Sequence, residues 1–343
     1  MKLSSVAYLS TNKIDSSQLR DGSFLSTENM LPNLGGFEIC HQMPTGPVTR
    51  FLKGDILLSN IRPYFRKLVF ANFDGGSSND VLCIRASTPK ILAKYLFYCL
   101  SSDSFFSYYT ANCKGTKMPR GDKQALLNYE IPLREIEEQR HIVDAIGSID
   151  DLIENYQRQS NEIDKEIHVF LHNGNGAGEA LGNRISFAKG KPAQKDGEEP
   201  LPYLNMEYMS GQSKETSCGG VLATADDVLM LMDGASSGSV FIGASGFVGS
   251  TFAVIKHDRD INPYVLYAVL KEKEDLFKTR TTGSAIPHTD KAFVASIEYP
   301  VLPKETIDKI EFLLKRKSSF KKLIEGLKAN KWILLNKYFS TSR

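Results

Sequence analysis

The sequence predicts an α+β protein in which two related domains of mixed α/β structure alternate with two long helices. Three observations lead to this prediction: an internal repeat, two runs with heptad spacing, and opposite net charges on those runs. The predicted segments are a first domain at residues 1–130, a first helix at 131–173, a second domain at 174–298 and a second helix at 299–343.

The internal repeat has a period of 168 residues over its best stretch. Gly115 to Pro132 (GTKMPRGDKQALLNYEIP) returns without a gap as Gly283 to Pro300 (GSAIPHTDKAFVASIEYP). Further back, the repeat continues with drifting offsets: YLFYCL returns as YVLYAVL, and DILL returns as DVLM. Similarity at so long a period indicates two related domains rather than a solenoid of short repeats. Residues 1–50 and 182–224 match poorly, so the domains are expected to differ there.

Length and composition place the chain among ordinary soluble proteins. It has 343 residues, of which 41% are hydrophobic and 24% charged, enough for two domains with separate cores. No apolar run reaches the roughly 18 residues of a membrane helix, and the N-terminal residues lack the apolar block of a signal peptide. We therefore expect a cytoplasmic protein that does not associate with membranes.

The cysteines do not indicate a disulfide framework or a metal site. They are Cys40, Cys83, Cys99, Cys113 and Cys218. They form no C-x-x-C pair and no metal-ligand spacing with histidine. We predict reduced thiols and no bound metal.

Each helical segment carries a seam of apolar residues at alternating steps of three and four, which is the spacing of a coiled coil. The first seam comprises Ile142, Ile146, Ile149, Ile153, Tyr156, Ile163, Ile167 and Phe170, and Ser160 breaks it. The second comprises Ile310, Leu313, Phe320, Ile324, Leu327, Leu334 and Tyr338, and Lys317 and Lys331 interrupt it. At 1.5 Å per residue, each run would extend roughly 60 Å.

The charges of the two runs are complementary. Residues 131–173 carry 4 basic and 10 acidic residues, and residues 299–343 carry 11 basic and 4 acidic residues. Pairing the helices with each other would bury both seams and match the charges. Two copies of a domain-plus-helix unit that associate face to face would be related by an approximate two-fold axis. The sequence therefore predicts antiparallel helices with the domains at opposite ends, as in a dumbbell.

The sequence lacks the motifs of several enzyme classes, and we predict no catalytic residue. The only Gly-Lys pair, Gly190-Lys191, continues into Pro192, so there is no P-loop for nucleotide hydrolysis. No acidic residue has a lysine two positions later, so the D/E-x-K part of a common nuclease site is missing. The N-P-P-Y type of methyltransferase motif is also missing, because Asn262-Pro263-Tyr264 lacks the second proline and fits a helix N-terminus.

One glycine-rich stretch offers an enzyme alternative. Phe241 to Ser250 (FIGASGFVGS) is similar to the phosphate-binding turn of NAD(P)-dependent oxidoreductases. A Rossmann unit needs a helix directly after that turn, whereas Thr251 to Lys256 alternates and is β-branched like a strand. We therefore keep the oxidoreductase as a minor alternative and expect strand turns here.

Several loops have the composition of a DNA-contacting surface. Basic side chains bind phosphates, and Arg, Asn and Gln can pair with base edges in the major groove. In the first domain the candidate DNA-binding residues are Asn60, Arg62, Tyr64, Arg66, Lys67, Ser78, Asn79, Lys114, Thr116, Lys117, Arg120 and Lys123. In the second domain they are Lys189, Lys191, Gln194, Lys195, Ser236, Ser237, Arg280, Thr282, Ser284, His288 and Lys291. The net charge of +5 over residues 1–130 favours this interpretation, and the −4 over residues 174–298 weakens it.

The sequence also resembles a known family. The segments GDILLSNIRPYFRKLVFANFDGGSSNDVLCIRA, CKGTKMPRGD, IPLREIEEQRHIVDAIGSIDDLIE and STENMLPNLGG are similar to the specificity subunit of Type I restriction-modification enzymes. The resemblance covers essentially the whole chain, including the order domain, helix, domain, helix. The chain departs from the family in lacking a Trp-rich opening, because its one tryptophan is Trp332.

The resemblance implies a non-catalytic DNA-binding role. Each domain would be a target recognition domain that reads one half of a split sequence in double-stranded DNA. The helices would be spacers that set the gap between half-sites and dock two modification subunits, and restriction subunits are further candidate partners. S-adenosylmethionine and ATP would bind to those partners, and this chain would bind no cofactor. The alternative from another class is a two-domain adaptor that binds nucleic acid or protein without sequence specificity.

Overall fold

A computed structural model describes residues 1–173, 178–197, 199–282 and 287–340. The fold is α+β, and the chain divides into two compact units. The first unit comprises Met1–Glu154 and Glu325–Arg343, and the second comprises Asn155–Ile324. Two long helices, α4 (Ile136–His172) and α9 (Lys304–Phe339), each contribute one part to each unit.

The first unit contains two four-stranded sheets. Its strands are β1 (Ala7–Leu9), β2 (Lys13–Asp15), β3 (Phe24–Leu25), β4 (Pro47–Phe51), β5 (Ile56–Ser59), β6 (Leu68–Phe70), β7 (Gly75–Ser77) and β8 (Val81–Ala86). One sheet has the order β1-β8-β5-β6 and is antiparallel throughout. The other has the order β2-β4-β7-β3, in which only β3 and β7 are parallel.

The second unit has two four-stranded sheets and two short strand pairs. Its strands are β9 (Glu179–Ala180), β10 (Ile185–Lys189), β11 (Leu201–Leu204), β12 (Thr216–Ser217), β13 (Val221–Ala223), β14 (Val228–Leu231), β15 (Val240–Phe241), β16 (Gly246–Val248), β17 (Phe252–His257), β18 (Thr281–Thr282), β19 (His288–Thr289) and β20 (Glu298–Tyr299). The sheets have the orders β10-β17-β14-β15 and β12-β11-β16-β13, and the pairs are β9 with β20 and β18 with β19.

The repeat in the sequence corresponds to a repeat in topology. The sheet β10-β17-β14-β15 is antiparallel throughout and has the same chain order as β1-β8-β5-β6. In the other sheet of each unit, a central strand (β7 or β16) has one parallel and one antiparallel neighbour. The fourth strand differs: β2 pairs with the antiparallel neighbour, whereas β12 pairs with the parallel one. Both fourth strands lie in the segments where the sequence repeat is poor.

The shorter helices follow the sheets in each unit. They are α1 (Ala93–Leu100), α2 (Asp103–Ala111), α3 (Lys123–Asn128), α5 (Met206–Met209), α6 (Pro263–Glu272), α7 (Glu274–Thr279) and α8 (Lys291–Ala295). The repeated Asp-Lys dipeptide marks a helix start, because Asp122 accepts hydrogen bonds from the N–H groups of α3 and Asp290 does the same for α8. Asn262 caps α6, as its sequence predicts.

Each unit packs its helices onto its all-antiparallel sheet. In the first unit, the buried side chains of α1 and α2 meet strands β5 and β8, and the ring of Tyr95 contacts the ring of Phe339 at the end of α9. In the second unit, α6 covers β14, and Phe277 and Val294 complete the same core. Within the described residues, no helix is both long enough and apolar enough to span a membrane.

Within each unit, the parts of α4 and α9 run antiparallel. In the first unit, Asp150 Oδ1 lies 2.5 Å from Lys331 Nζ, and Arg134 donates to the main-chain oxygen of Tyr338 at 3.3 Å. In the second, Asp164 pairs with Lys317. The two lysines that interrupt the second seam are therefore the cations that pair with the acidic helix.

All twelve residues proposed as the core of the spacer seam are buried or half-buried. They are Ile146, Ile149, Ile153, Tyr156, Ile163, Ile167, Ile310, Leu313, Phe320, Ile324, Leu327 and Leu334. The sequence pattern missed Leu335 and Phe339, which are each 3% exposed and pack into the first unit's core. At this end of α9 the heptad spacing points to Leu334 and Tyr338, one residue before the side chains that are most buried. The shift arises because α9 packs on a globular core as well as on α4.

Candidate nucleic-acid interface

Main-chain hydrogen bonds join three segments of the first unit that carry candidate DNA-binding residues. The N–H of Asn60 donates to Asp80 O at 2.8 Å, and the N–H of Gly121 donates to Asn60 O at 3.0 Å. Arg62 N–H donates to Pro119 O at 2.8 Å. The loop after β5, the turn before β8 and the loop before α3 are thereby fixed side by side, as a surface assembled from distant parts of the sequence requires.

Gly121 shows how tightly these segments pack. A Cβ atom at this position would lie 2.0 Å from the hydroxyl and Cζ atoms of Tyr109, far inside van der Waals contact. The Tyr109 hydroxyl in turn donates to Asn60 Oδ1 at 2.8 Å. Glycine at position 121 is therefore needed for close packing under the loop.

The turn after β5 separates its two arginines. Arg62 (φ 47°) and Arg66 (φ 54°) adopt left-handed backbone conformations at either end of a single 3₁₀ turn, Pro63–Phe65. Arg62 and Tyr64 are exposed. The Arg66 guanidinium is directed inward, 2.5 Å from Asp103 and 5.1 Å from the centre of the Phe106 ring. Strain of this kind is uncommon in residues other than glycine and is frequent at functional turns.

The basic loop closes on itself through Lys114 and Arg120, whose main-chain groups exchange hydrogen bonds of 2.8 Å. Thr116 and Lys117 lie exposed at its tip. The Lys114 ammonium pairs with Asp122, and together with the N–H groups at the start of α3 it holds the pKa of Asp122 below its ordinary value. The loop is therefore anchored at its base and free at its tip.

Several candidate side chains in the first unit have intramolecular partners. Asn60 is only 8% exposed and is held by Tyr109. Lys67 Nζ donates to Thr27 O at 2.6 Å, and Ser78 is half-buried. Asn79 is exposed, and its amide oxygen accepts from Lys13 at 2.9 Å. Asn60, Arg66 and Lys67 thus support the surface rather than project from it.

Three exposed cations remain: Arg62, Lys117 and Lys123. Among the described residues, no carboxylate lies within 4.0 Å of their charged groups, whereas Arg120 is 3.1 Å from Asp80. Exposed cations without an internal partner can neutralise phosphates and release the counterions condensed on the DNA, and no internal ion pair is broken in the process. These three are the first unit's best-placed phosphate contacts.

The second unit repeats the junction between the strand end and the loop. Asp233 and His288 form an isolated bridge, and Ile61 and Arg120 form the corresponding bridge of the first unit. The Asp233 carboxylate lies 2.7 Å from His288 Nδ1 and 2.9 Å from Lys189 Nζ. Burial acts to raise the pKa of Asp233, but the hydrogen bonds from His288 and Lys189 outweigh it, and the pKa is lowered. Lys189 and the His288 imidazole thus share one carboxylate at this junction.

The other candidates of the second unit form two groups. Lys191, Gln194 and Lys195 are exposed on the segment beside Ser217, whose hydroxyl accepts the N–H of Gln194 at 2.9 Å. Ser236, Arg280, Thr282 and Lys291 are also exposed, whereas Ser237 is fully buried. Ser284 lies outside the described residues.

The acidic partners were not recognised from the sequence. Asp80, Asp103 and Asp233 each hold a candidate cation, yet none lies near that cation in the sequence. One signal was present: Asp233 follows β14 at the position where Ile61 follows β5. A residue-by-residue comparison of the two halves would have marked it as a junction residue.

The glycines of Phe241 to Ser250 serve strand turns. Gly243 (φ 90°) lies between β15 and β16. A Cβ atom on Gly246 would lie 2.1 Å from the main-chain oxygen of Pro202 on the neighbouring strand. The chain continues directly into β17 rather than into a helix, as the alternation of Thr251 to Lys256 predicts. The geometry of a dinucleotide-binding turn is therefore missing.

Comparison with known proteins agrees with this architecture. Residues 47–165 match the family described as the Type I restriction modification DNA specificity domain. Over 168 residues the chain is 32% identical to the Type I restriction enzyme MjaVIII specificity subunit of Methanocaldococcus jannaschii. The matched part of the chain is therefore similar to the specificity subunits of Type I restriction-modification enzymes. Over 111 residues it is also 28% identical to the EcoDI specificity subunit of Escherichia coli.

These alignments are partial. The first covers 46% of this chain and 38% of its relative, and the second covers 32% and 24%. The chain thus spans well under half the length of the curated relatives it matches. The whole chain is similar to the crystal structure of a Type I restriction-modification S subunit from M. genitalium, with a TM-score of 0.64, 15% identity and 96% of that chain covered. At this identity the likeness concerns the fold.

Proposed function

We propose that this chain is a specificity subunit that recognises a bipartite sequence in double-stranded DNA, with one half-site read by each unit. The observation that carries the proposal is the repeated junction, Ile61 with Arg120 and Asp233 with His288. In both units it places a strand end beside the loop that leads into a capped helix, and exposed polar and basic side chains surround it. Two similar readers in one chain suit a target with two parts.

Within each unit, the proposed contacts divide by chemistry. Arg62, Lys117 and Lys123 would bind phosphates and supply affinity that depends on salt. Exposed polar side chains such as Asn79 and Gln194 would reach base edges, each worth about 1 to 3 kcal/mol of discrimination. Asn60 and Arg66 are assigned a supporting role because both are held internally.

We propose that the subunit is non-catalytic and acts with partners. Two methyltransferase subunits would supply methylation with S-adenosylmethionine, and ATP-dependent restriction subunits would supply cleavage where they are present. The similarity of residues 47–165 to the Type I DNA specificity domain, and of the chain to the MjaVIII specificity subunit, supports this role. The long helices α4 and α9 would dock the methyltransferases and set the gap between half-sites. Half-sites read from one DNA face would lie about one helical turn apart.

The experiment that tests the proposal is single-molecule sequencing of methylated bases in DNA from cells that express this subunit with its neighbouring methyltransferase. A split motif with a fixed gap is the expected result. Substitution of Asn79 should then change recognition of one half-site and leave the other unchanged. A continuous motif, or no motif, contradicts the proposal.

The spacer role has its own test. Inserting residues into one helix only, near Ser160 or Lys317, should shift the pairing of Asp164 with Lys317 and abolish methylation. Matched insertions into both helices should lengthen the gap and preserve both half-sites. A gap that stays fixed under matched insertions rules out the spacer role.

A further inference from the structure

A cluster of two histidines and one glutamate lies in the second unit, outside the candidate DNA interface. His168 and His172 are one turn apart on α4, and Glu272 is the last residue of α6. One ligand atom from each side chain lies within 4.8 Å of the other two. The cluster is accessible to solvent, so an ion could enter without any rearrangement of the core.

The carboxylate directs one oxygen at each imidazole. Glu272 Oε1 is 2.7 Å from His168 Nδ1, and Oε2 is 3.8 Å from His172 Nε2. The centres of the two rings are 4.3 Å apart. Two imidazole nitrogens and a carboxylate therefore converge on one small volume, and the proton between His168 Nδ1 and Glu272 would leave when an ion binds.

The protonation of His172 follows from its other contact. Its Nδ1 lies 2.9 Å from the main-chain oxygen of His168. Because a carbonyl only accepts, Nδ1 carries the proton, and in the neutral ring Nε2 holds a lone pair. A hydrogen bond that fixes the outer nitrogen of an imidazole is also the usual support of a metal-binding histidine.

We propose that His168, His172 and Glu272 bind a divalent transition-metal ion of the zinc type. Two imidazoles and a carboxylate match the ligands that Zn²⁺ takes, and they suit Mg²⁺ and Ca²⁺ poorly. Ligand distances of about 2.0 to 2.1 Å in a tetrahedron imply ligand atoms about 3.3 Å apart. The 2.7 Å contact of His168 with Glu272 would open and the 3.8 Å contact of His172 with Glu272 would close, each by roughly 0.5 Å, which exposed side chains can do. A fourth position would remain for water or for a partner's side chain.

The bound ion would fasten the last turn of α4 to α6 within the second unit. His168 and Glu272 are 104 residues apart in the sequence, which is why spacing rules for metal ligands do not detect the site. The competing explanation is an ion pair between a protonated histidine and Glu272, which needs no metal. The two explanations differ in what added metal does.

The test uses the full, tag-free chain, stripped with chelator and titrated with Zn²⁺ by calorimetry and with Co²⁺ by visible absorption. We expect one ion per chain, a Co²⁺ spectrum of a low-coordinate site and a rise in Tm on adding Zn²⁺. His172→Gln and Glu272→Gln should each weaken binding at least about tenfold. The matched controls are His141→Gln and Glu166→Gln, two exposed α4 residues outside the cluster, which should bind as the wild type does.

Three results would overturn the site. The first is the lack of one-to-one binding by the wild type. The second is wild-type affinity in both cluster variants. The third is a Tm that falls in Glu272→Gln while Zn²⁺ has no effect on the wild type, which identifies the contact as a simple ion pair.

Discussion

Removing the three unpaired cations of the first unit should lower the salt dependence of DNA binding by a calculable amount. Arg62, Lys117 and Lys123 are exposed and have no carboxylate within 4.0 Å among the described residues. If each neutralises one phosphate, the triple alanine variant loses about 2.7 from the slope of log K against log salt. Between 50 and 200 mM salt, the wild type should therefore lose about 40-fold more affinity than the variant does.

The assay is fluorescence anisotropy with the full chain and a labelled duplex that carries its methylated motif, at several salt concentrations. The matched control removes Lys2, Lys53 and Lys90, which are exposed cations of the same unit outside the candidate interface. The control should keep the wild-type slope. Equal slopes in the wild type and the Arg62/Lys117/Lys123 variant, or equal losses in both triple variants, would refute the assignment of phosphate contacts.

Three further predictions concern stability and are each checked by urea unfolding. Asp55→Asn should lower the free energy of unfolding by about 3 kcal/mol, because Asp55 is 2% exposed and holds Arg85 through two hydrogen bonds. Asp227→Asn should lower it by about 1 kcal/mol, because its partner Lys256 is half exposed. Equal losses in the two variants would contradict this ranking. Leu335→Ala should lower the free energy of unfolding by about 2 to 5 kcal/mol, whereas Ile333→Ala, at a site 56% exposed, should lower it by less than about 0.5 kcal/mol. A larger loss in Ile333→Ala would mean that the opposite face of α9 packs into the core. Burial acts to raise the pKa of Glu274, but Lys271 and Lys278 outweigh it and lower the pKa below 4.5. The ionised carboxylate therefore contributes its full stabilisation above that pH, and the contribution is lost on acidification. Between about pH 5 and 3, Glu274→Gln should lose less stability than the wild type.

The repeat and the heptads predicted the architecture because both are properties of pattern rather than of contact. DILL and DVLM became the strands β5 and β14, and each is preceded by an aspartate that pairs with a basic residue three strands later in the chain, Asp55 with Arg85 and Asp227 with Lys256. A pattern of this kind can be recognised in a single sequence.

The candidate site was less predictable because exposure depends on neighbours that the sequence does not place side by side. Arg62 and Arg66 look alike in the segment NIRPYFRK, yet two left-handed residues turn one outward and the other onto Asp103. Likewise, nothing local to Asn60 indicates that Tyr109 buries it. Composition identified the loops, and tertiary contacts decided which of their side chains remain available.

The electrostatics of the two units differ, and this has a consequence for recognition. Both units have exposed candidate cations, but the second also places Lys189 and His288 on the shared carboxylate of Asp233. Residues 174–298 also carry a net charge of −4. Phosphate attraction should therefore come chiefly from the first unit, and the second should depend more on hydrogen bonds to bases, which salt screens less. We accordingly expect mismatches in the second half-site to cost the same affinity at low and high salt, while charge removal in the first unit weakens binding to matched and mismatched DNA alike.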